Sequence, residues 1–171
     1  LEFRRVLFRS GRVSAQGGLT IGSSTTGSIT LDGITDSSSD MLGTVVLLAT
    51  GASQLVTFGG VSSEFNKGIT VQAAGGVVLS ASVTSKQTST QLYTGTGTLT
   101  VVSAKALSTT GQTLTITADD FNLAGDVSSG TAVLSIVATT SSHTVGLGQT
   151  AKDMHVTDAE LGLLSASRLY L

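Results

Sequence analysis

A three-residue theme, an aliphatic, then Thr or Ser, then an aliphatic, recurs along this chain and limits its fold more than any other feature. It appears in GLTI (18–21), GSITL (27–31), GITV (68–71), GTLTV (97–101), QTLTI (112–116) and AVLSI (132–136). Alternation with a period of two marks a strand with one buried and one wet face, and β-branched residues suit a pleated surface. The pairs Leu19 and Ile21, Ile29 and Leu31, Ile69 and Val71, Leu99 and Val101, Leu114 and Ile116, and Leu134 and Ile136 are therefore the expected inward side chains. Further apolar runs fill the gaps: VVLLA (45–49), LVTF (55–58), VVLSASV (77–83), FNLAG (121–125) and TVGLG (144–148). Strands then arrive about every ten residues, a density that suits a sandwich or a solenoid.

Composition separates these two. Ser, Thr and Gly supply 72 of the 171 residues, Pro, Trp and Cys are absent, and there are only seven aromatics. Clusters such as GSSTTG (22–27) and TDSSSD (35–40) read as turns and loops. An antiparallel sandwich calls for Asn-Gly or Asp-Gly hairpin turns and large core aromatics, and the chain has one Asp-Gly, Asp32 and Gly33. A parallel β-helix stacks coils of about 20 residues at about 4.8 Å, with small residues at the corners and aliphatics aligned inward. The expected fold is an all-β, right-handed parallel β-helix of roughly eight coils and about 35–40 Å, with the antiparallel β-sandwich as the alternative.

The opening LEFRRVLFRS differs from the rest. Arg4, Arg5, Arg9 and Arg12 are four of the nine basic residues, whereas from Val13 onward five basic residues face ten acidic ones, a net charge near −5. Residues 1–10 resemble translated adaptor sequence, with a disordered basic leader as the alternative, and are set apart from the fold, leaving residues 11–171 as one solenoid segment that reads as truncated at both ends. No apolar run approaches the roughly 18 residues of a membrane span. The acidic body lacks the clustered Lys and Arg that a nucleic-acid partner requires.

The segment TVGLGQTAKDMHVTDAELGLLSASRLYL (144–171) resembles the repeat of filamentous haemagglutinin-like surface proteins, in which a Leu-Gly strand end, a D/N-A-E-L turn and an L-x-L strand follow one another. Leu147, Gly148, Asp158, Ala159, Glu160, Leu161, Leu169 and Leu171 are the matching positions, and ITADDFNLAGDVSSGTAVLSIVATT (116–140) is similar to the preceding coil. The chain departs from that pattern in having only Asn66 and Asn122 in place of Asn-rich turn stacks. The resemblance implies a secreted or cell-surface passenger and carries over no catalytic residue. Independently, Thr157 and Glu160 form a T-x-x-E capping box that starts a helical turn near 158–163, with Leu161, Leu163 and Leu164 expected to face inward.

Chemistry is sparse. Asp119 and Asp120 are adjacent carboxylates, but neighbours on a strand point to opposite faces, whereas glycoside hydrolysis needs two carboxyls about 5–9.5 Å apart. They read as a solvated turn. His143 and His155 lack zinc-site spacing and read as exposed or half-buried strand residues. There is no G-x-S-x-G elbow, phosphate loop or calcium nonapeptide. The expectation is a non-catalytic structural or adhesive segment of a large extracellular or cell-surface protein, with no cofactor and no bound metal. Its partners would be a host-surface glycan or protein and neighbouring coils of the same longer chain. A β-helical carbohydrate-active enzyme or a β-sandwich binding module are the alternatives.

Overall fold

The computed structural model describes residues 13–171, so the adaptor-like stretch lies outside the described residues. Strands follow the alternating theme. The first turn holds β1 (Leu19–Ser23), β2 (Ile29–Leu31) and a single helical turn α1 (Asp36–Ser39); the second holds β3 (Val45–Ala49), β4 (Leu55–Phe58) and β5 (Ser63–Phe65). The third comprises β6 (Ile69–Ala73), β7 (Gly76–Leu79) and β8 (Val83–Ser85), and the fourth β9 (Thr90–Tyr93), β10 (Thr98–Val101) and β11 (Ala106–Thr109). The fifth comprises β12 (Leu114–Thr117), β13 (Asp120–Leu123) and β14 (Asp126–Ser128). The sixth runs through β15 (Val133–Val137), β16 (Val145–Leu147), β17 (Met154–Val156), α2 (Asp158–Leu161) and β18 (Leu164–Ser165), and β19 (Arg168–Tyr170) begins the next.

Every described strand pairing is parallel. The first sheet orders β1-β3-β6-β9-β12-β15-β19, the second β2-β4-β7-β10-β13 and the third β5-β8-β11-β14-β18. Turns two to five visit each sheet once, while the first has α1 in place of a third-sheet strand and the sixth has the separate pair β16-β17 in place of a second-sheet strand; this is a parallel β-solenoid, and the antiparallel sandwich is excluded. Paired residue numbers advance by 26, 24, 21, 24 and 20 through the first five turns, and by 35 from Leu134 to Leu169. Turns of 20 to 26 residues, and one of 35, make fewer turns than the eight expected. The seven strands of the first sheet span roughly 29 Å at the usual strand spacing.

The core is a set of vertical stacks. Ile21, Leu47, Val71, Leu92, Ile116 and Ile136 lie in register on the first sheet, and Leu31, Phe58, Leu79, Val101 and Leu123 on the second. Of the expected inward residues, Leu31, Ile69, Val71, Leu99, Val101, Leu114, Ile116, Leu134 and Ile136 are buried, while Leu19 and Ile29 are partly buried against the core. Ile21 is 39% exposed, because no described strand pairs with the outer side of β1 and its stack is covered only by Leu47. The run VVLSASV is two strands with a corner between them, β7 and β8.

Corners explain the Ser, Thr and Gly content. Thr94 donates its hydroxyl to the carbonyl of Gly97 at 2.8 Å, Thr109 to that of Gln112, and Ser129 to that of Ala132 at 2.9 Å, each three residues on. Gly95, Gly111 and Gly130 take positive φ within these same turns. At Gly97 and Gln112 the hydroxyl satisfies a corner carbonyl, and at Ala132 it joins the Ser167 amide on one. Gly68 serves close approach, since a Cβ there would lie 1.9 Å from the carbonyl oxygen of Ser89.

The segment TDSSSD is not an irregular loop. Thr35 caps α1 and Ser38 reaches back to the Thr35 amide at 3.1 Å, a capping box built with Ser where Glu or Gln is usual. Asn66 donates to Asp36 at 3.2 Å and Gln87 to Asn66 at 3.0 Å, so a short Asp-Asn-Gln ladder spans three turns.

Ile116 is fully buried between Leu92 and Ile136. Ile116→Asp places a carboxylate there without a partner and should cost about 4 kcal/mol or more, lowering Tm by roughly 10 °C or more. Thr115→Asp, one residue away on the outer side, should move Tm by only a degree or two. Thermal unfolding by circular dichroism checks both, and an unchanged Tm for Ile116→Asp contradicts the core assignment.

Candidate functional site

The sixth turn is where the fold departs from a plain stack and where the titratable residues gather. In the fifth turn the chain passes from β12 through Ala118 and Asp119 directly into β13. In the sixth it leaves the rod after β15 and returns only at β17, so residues 138–153 form an excursion beside Asp119.

Asp119 fastens the start of that excursion. Its Oδ1 accepts the Thr140 amide at 2.7 Å and its Oδ2 the Thr140 hydroxyl at 2.6 Å. His143 Nδ1 stands 3.6 Å from Asp119 Oδ1, with the two side chains 25% and 13% exposed. Burial raises the Asp119 pKa, but the hydroxyl and amide of Thr140, nearby His143 and the Thr139 amide outweigh it and hold the carboxyl below its usual value. Asp153 repeats the device on the return: its Oδ2 accepts the Thr144 hydroxyl at 2.6 Å and the Thr144 amide at 2.9 Å. Those two bonds likewise hold its carboxyl below the usual range.

Between these clamps, β16 and β17 pair in parallel across the connection 148–153. Adjacent parallel strands normally need a crossover of a dozen residues or more. Here the link is closed locally. His155 Nε2 donates to the Gly148 carbonyl at 2.7 Å, the Gly148 amide donates to Val156 at 2.9 Å, and Gly148 sits at φ +66°. The His155 amide lies 3.4 Å from Asp120 Oδ1 on β13.

Thr157 caps α2 as expected from the sequence, and the reciprocal bond from the Thr157 amide to Glu160 is 3.0 Å. Glu160 does more than close the cap. Its Oε1 accepts the Leu123 amide of β13 at 3.1 Å, so the carboxylate satisfies the edge of the turn below. Leu163 and Leu164 pack against the core, whereas Leu161 is 39% exposed because it ends α2 on the solvent side.

Asp119, Asp120, His143, Asp153 and His155 are thus brought to one region, which their separation in sequence hides. Asp119 lies in a largely buried corner and not in a solvated turn. Asp119 and Asp153 grip backbone amides and hydroxyls of the excursion and His155 grips its Gly148 carbonyl, and among the described residues no three His, Cys, Asp or Glu form a metal-holding set. General acid catalysis on a glycoside requires a carboxyl whose pKa is raised, and Asp119 and Asp153 are both shifted the other way.

A different kind of surface lies on the outside of the first sheet. One outward column reads Thr20, Val46, Thr70, Gln91, Thr115, Ser135 and Tyr170, and the next Gly22, Leu48, Gln72, Tyr93, Thr117 and Val137. None of these residues is charged. Tyr93 and Tyr170 are 42% and 49% exposed. By contrast, the third sheet carries Glu64 and Asp126 outward, with Glu64 and Asp36 both within 3.5 Å of Lys86.

No protein-family model, curated protein or solved structure matches the chain. The resemblance of residues 144–171 therefore rests on its matching positions, and the fold on the parallel strand pairing.

The lowered carboxyls give a pH dependence with a definite sign. Groups with depressed folded pKa values contribute stability above their ordinary value of about 3.9 and lose it as pH falls through the folded value. The excursion should therefore stay docked from neutrality to about pH 5 and loosen below about pH 4, before the rod unfolds. Amide exchange at Thr140 and Thr144, compared with Ile116, checks this; protection that survives full carboxyl protonation contradicts it.

Proposed function

We propose that this chain is a non-catalytic structural and adhesive segment of a large secreted or cell-surface protein, serving as a stiff spacer that presents a contact surface. The parallel stack carries this reading. Neighbouring turns are tied along each of three faces, which makes the rod stiff, while outward positions are free to vary without disturbing the inward stacks. Of the carboxylates that could suggest hydrolysis, Asp119 holds the excursion to the rod, Asp153 closes the excursion on itself and Glu160 ties α2 to β13. The similarity of residues 144–171 to haemagglutinin-like repeats supports an extracellular setting, and no described helix is long and apolar enough to cross a membrane.

Immobilised on beads, the chain should bind animal or plant cell surfaces saturably and release no reducing ends from a panel of polysaccharides. Turnover that disappears in Asp120→Asn would instead identify a carbohydrate-active enzyme.

A further inference from the structure

We propose that the outer surface of the first sheet, centred on Tyr93, binds an uncharged polysaccharide lying along the rod axis. This rests on the adhesive reading above and names the ligand and the face.

The placement of aromatics is the first observation. Phe58, Phe65 and Phe121 are buried, whereas both tyrosines of the chain lie on the outer surface of the same sheet, 42% and 49% exposed. Folding does not require a ring there, since equivalent outward positions on neighbouring turns carry Thr and Gln. A half-exposed tyrosine offers a flat apolar face with a polar tip.

The neighbours of Tyr93 are the second observation. Gln72 and Thr117 flank it in register on adjacent turns, about 4.8 Å to each side. Gln91 precedes it by two residues on the same strand and is itself flanked by Thr70 and Thr115. One ring is thus framed by two carboxamides and three hydroxyls, groups that both donate and accept hydrogen bonds. Sugar hydroxyls have the same dual character, and the C–H face of a pyranose suits the ring.

Charge selects among glycans. Neither outward column carries a charged residue, and the chain from Val13 onward is net acidic, near −5. Around Tyr93 a sulfated or sialylated chain would meet repulsion and find no cation to pair with, the outward Arg168 beside Tyr170 lying three strands away, whereas a neutral one meets neither penalty. Tyr170 lies three strands further along the sheet, roughly 14 Å from Tyr93 along the axis. Arg168 donates to its hydroxyl at 3.1 Å and steadies a second ring. Two rings so spaced fit a chain laid across the strands.

The test probes the full chain on immobilised neutral β-glucans and galactans beside heparin and polysialic acid, with Tyr93→Ala, Tyr93→Phe, Gln72→Ala and, on the outer side of the third sheet, Ser108→Ala. Neutral glycans should bind with an affinity that changes little between 50 and 500 mM salt. Tyr93→Ala should weaken binding about tenfold or more, the loss expected for an aromatic anchor, while Tyr93→Phe and Ser108→Ala stay within about threefold. Should Tyr93→Ala fail to fold, weakened binding by folded Gln72→Ala serves in its place. Binding restricted to the anionic glycans, or neutral-glycan binding indifferent to Tyr93 and Gln72, overturns the proposal. Cell attachment without any neutral-glycan binding sinks this inference and leaves the adhesive reading standing; loss of both sinks both.

Discussion

Backbone hydrogen bonding between successive turns, in parallel and in register, is the constraint on which everything else here depends. A turn of 20 to 26 residues cannot bury its apolar side alone, so each turn draws its backbone partners and its core contacts from the turns above and below. Register then fixes which side chains face inward, because a slip of one residue would turn Ile116 outward and Thr115 inward. The repeat is therefore a period in space rather than in sequence. Turns differ by several residues while the stacks stay aligned, and the surplus is taken up at the corners.

Corner chemistry follows from that need. Extended strands satisfy their own ladders, but the chain must bend between sheets where carbonyls point inward. Buried Thr94, Thr109 and Ser129 supply hydroxyl donors three residues before the carbonyls they satisfy, and glycines supply the positive φ. The sixth turn shows how much insertion the architecture tolerates. Its excursion is accommodated because Asp119 ties its start to the rod, Asp153 closes it on Thr144, and Glu160 ties the following α2 to β13, all by charge-assisted bonds to amides and hydroxyls.

Much of this was legible in the residues. VVLLA and LVTF coincide with β3 and β4, the L-T-I theme marks β12, and T-x-x-E marks the start of α2. The strands β5, β9, β11, β14 and β17 were not legible, because inward Ser63, Thr90 and Thr109 interrupt the aliphatic alternation in the first three, β14 carries a single apolar residue, and β17 is three residues long with a His at its centre. The helix α1 was hidden because its capping box closes on Ser38. The site was less legible than the fold. Asp119 and His143 are 24 residues apart, and only the departure of the chain after β15 brings them together. The outward strip around Tyr93 was equally invisible, since it exists only once Gln72, Tyr93 and Thr117 are stacked by register.

The same register that builds the core thus builds the outer faces, so surface function and fold stand on one claim. The absence of native cysteine makes that claim directly measurable. Paired parallel strands bring Cα atoms to about 4.8 Å, within the 4.4–6.8 Å that a disulfide spans. Under mild oxidation the double variant Gln91→Cys with Thr115→Cys should cross-link readily, and so should Thr115→Cys with Ser135→Cys, while Gln91→Cys with Ser135→Cys, two turns apart, should not. Cross-linking of the two-turn pair, or failure of both adjacent pairs in a folded protein, would contradict the parallel stack.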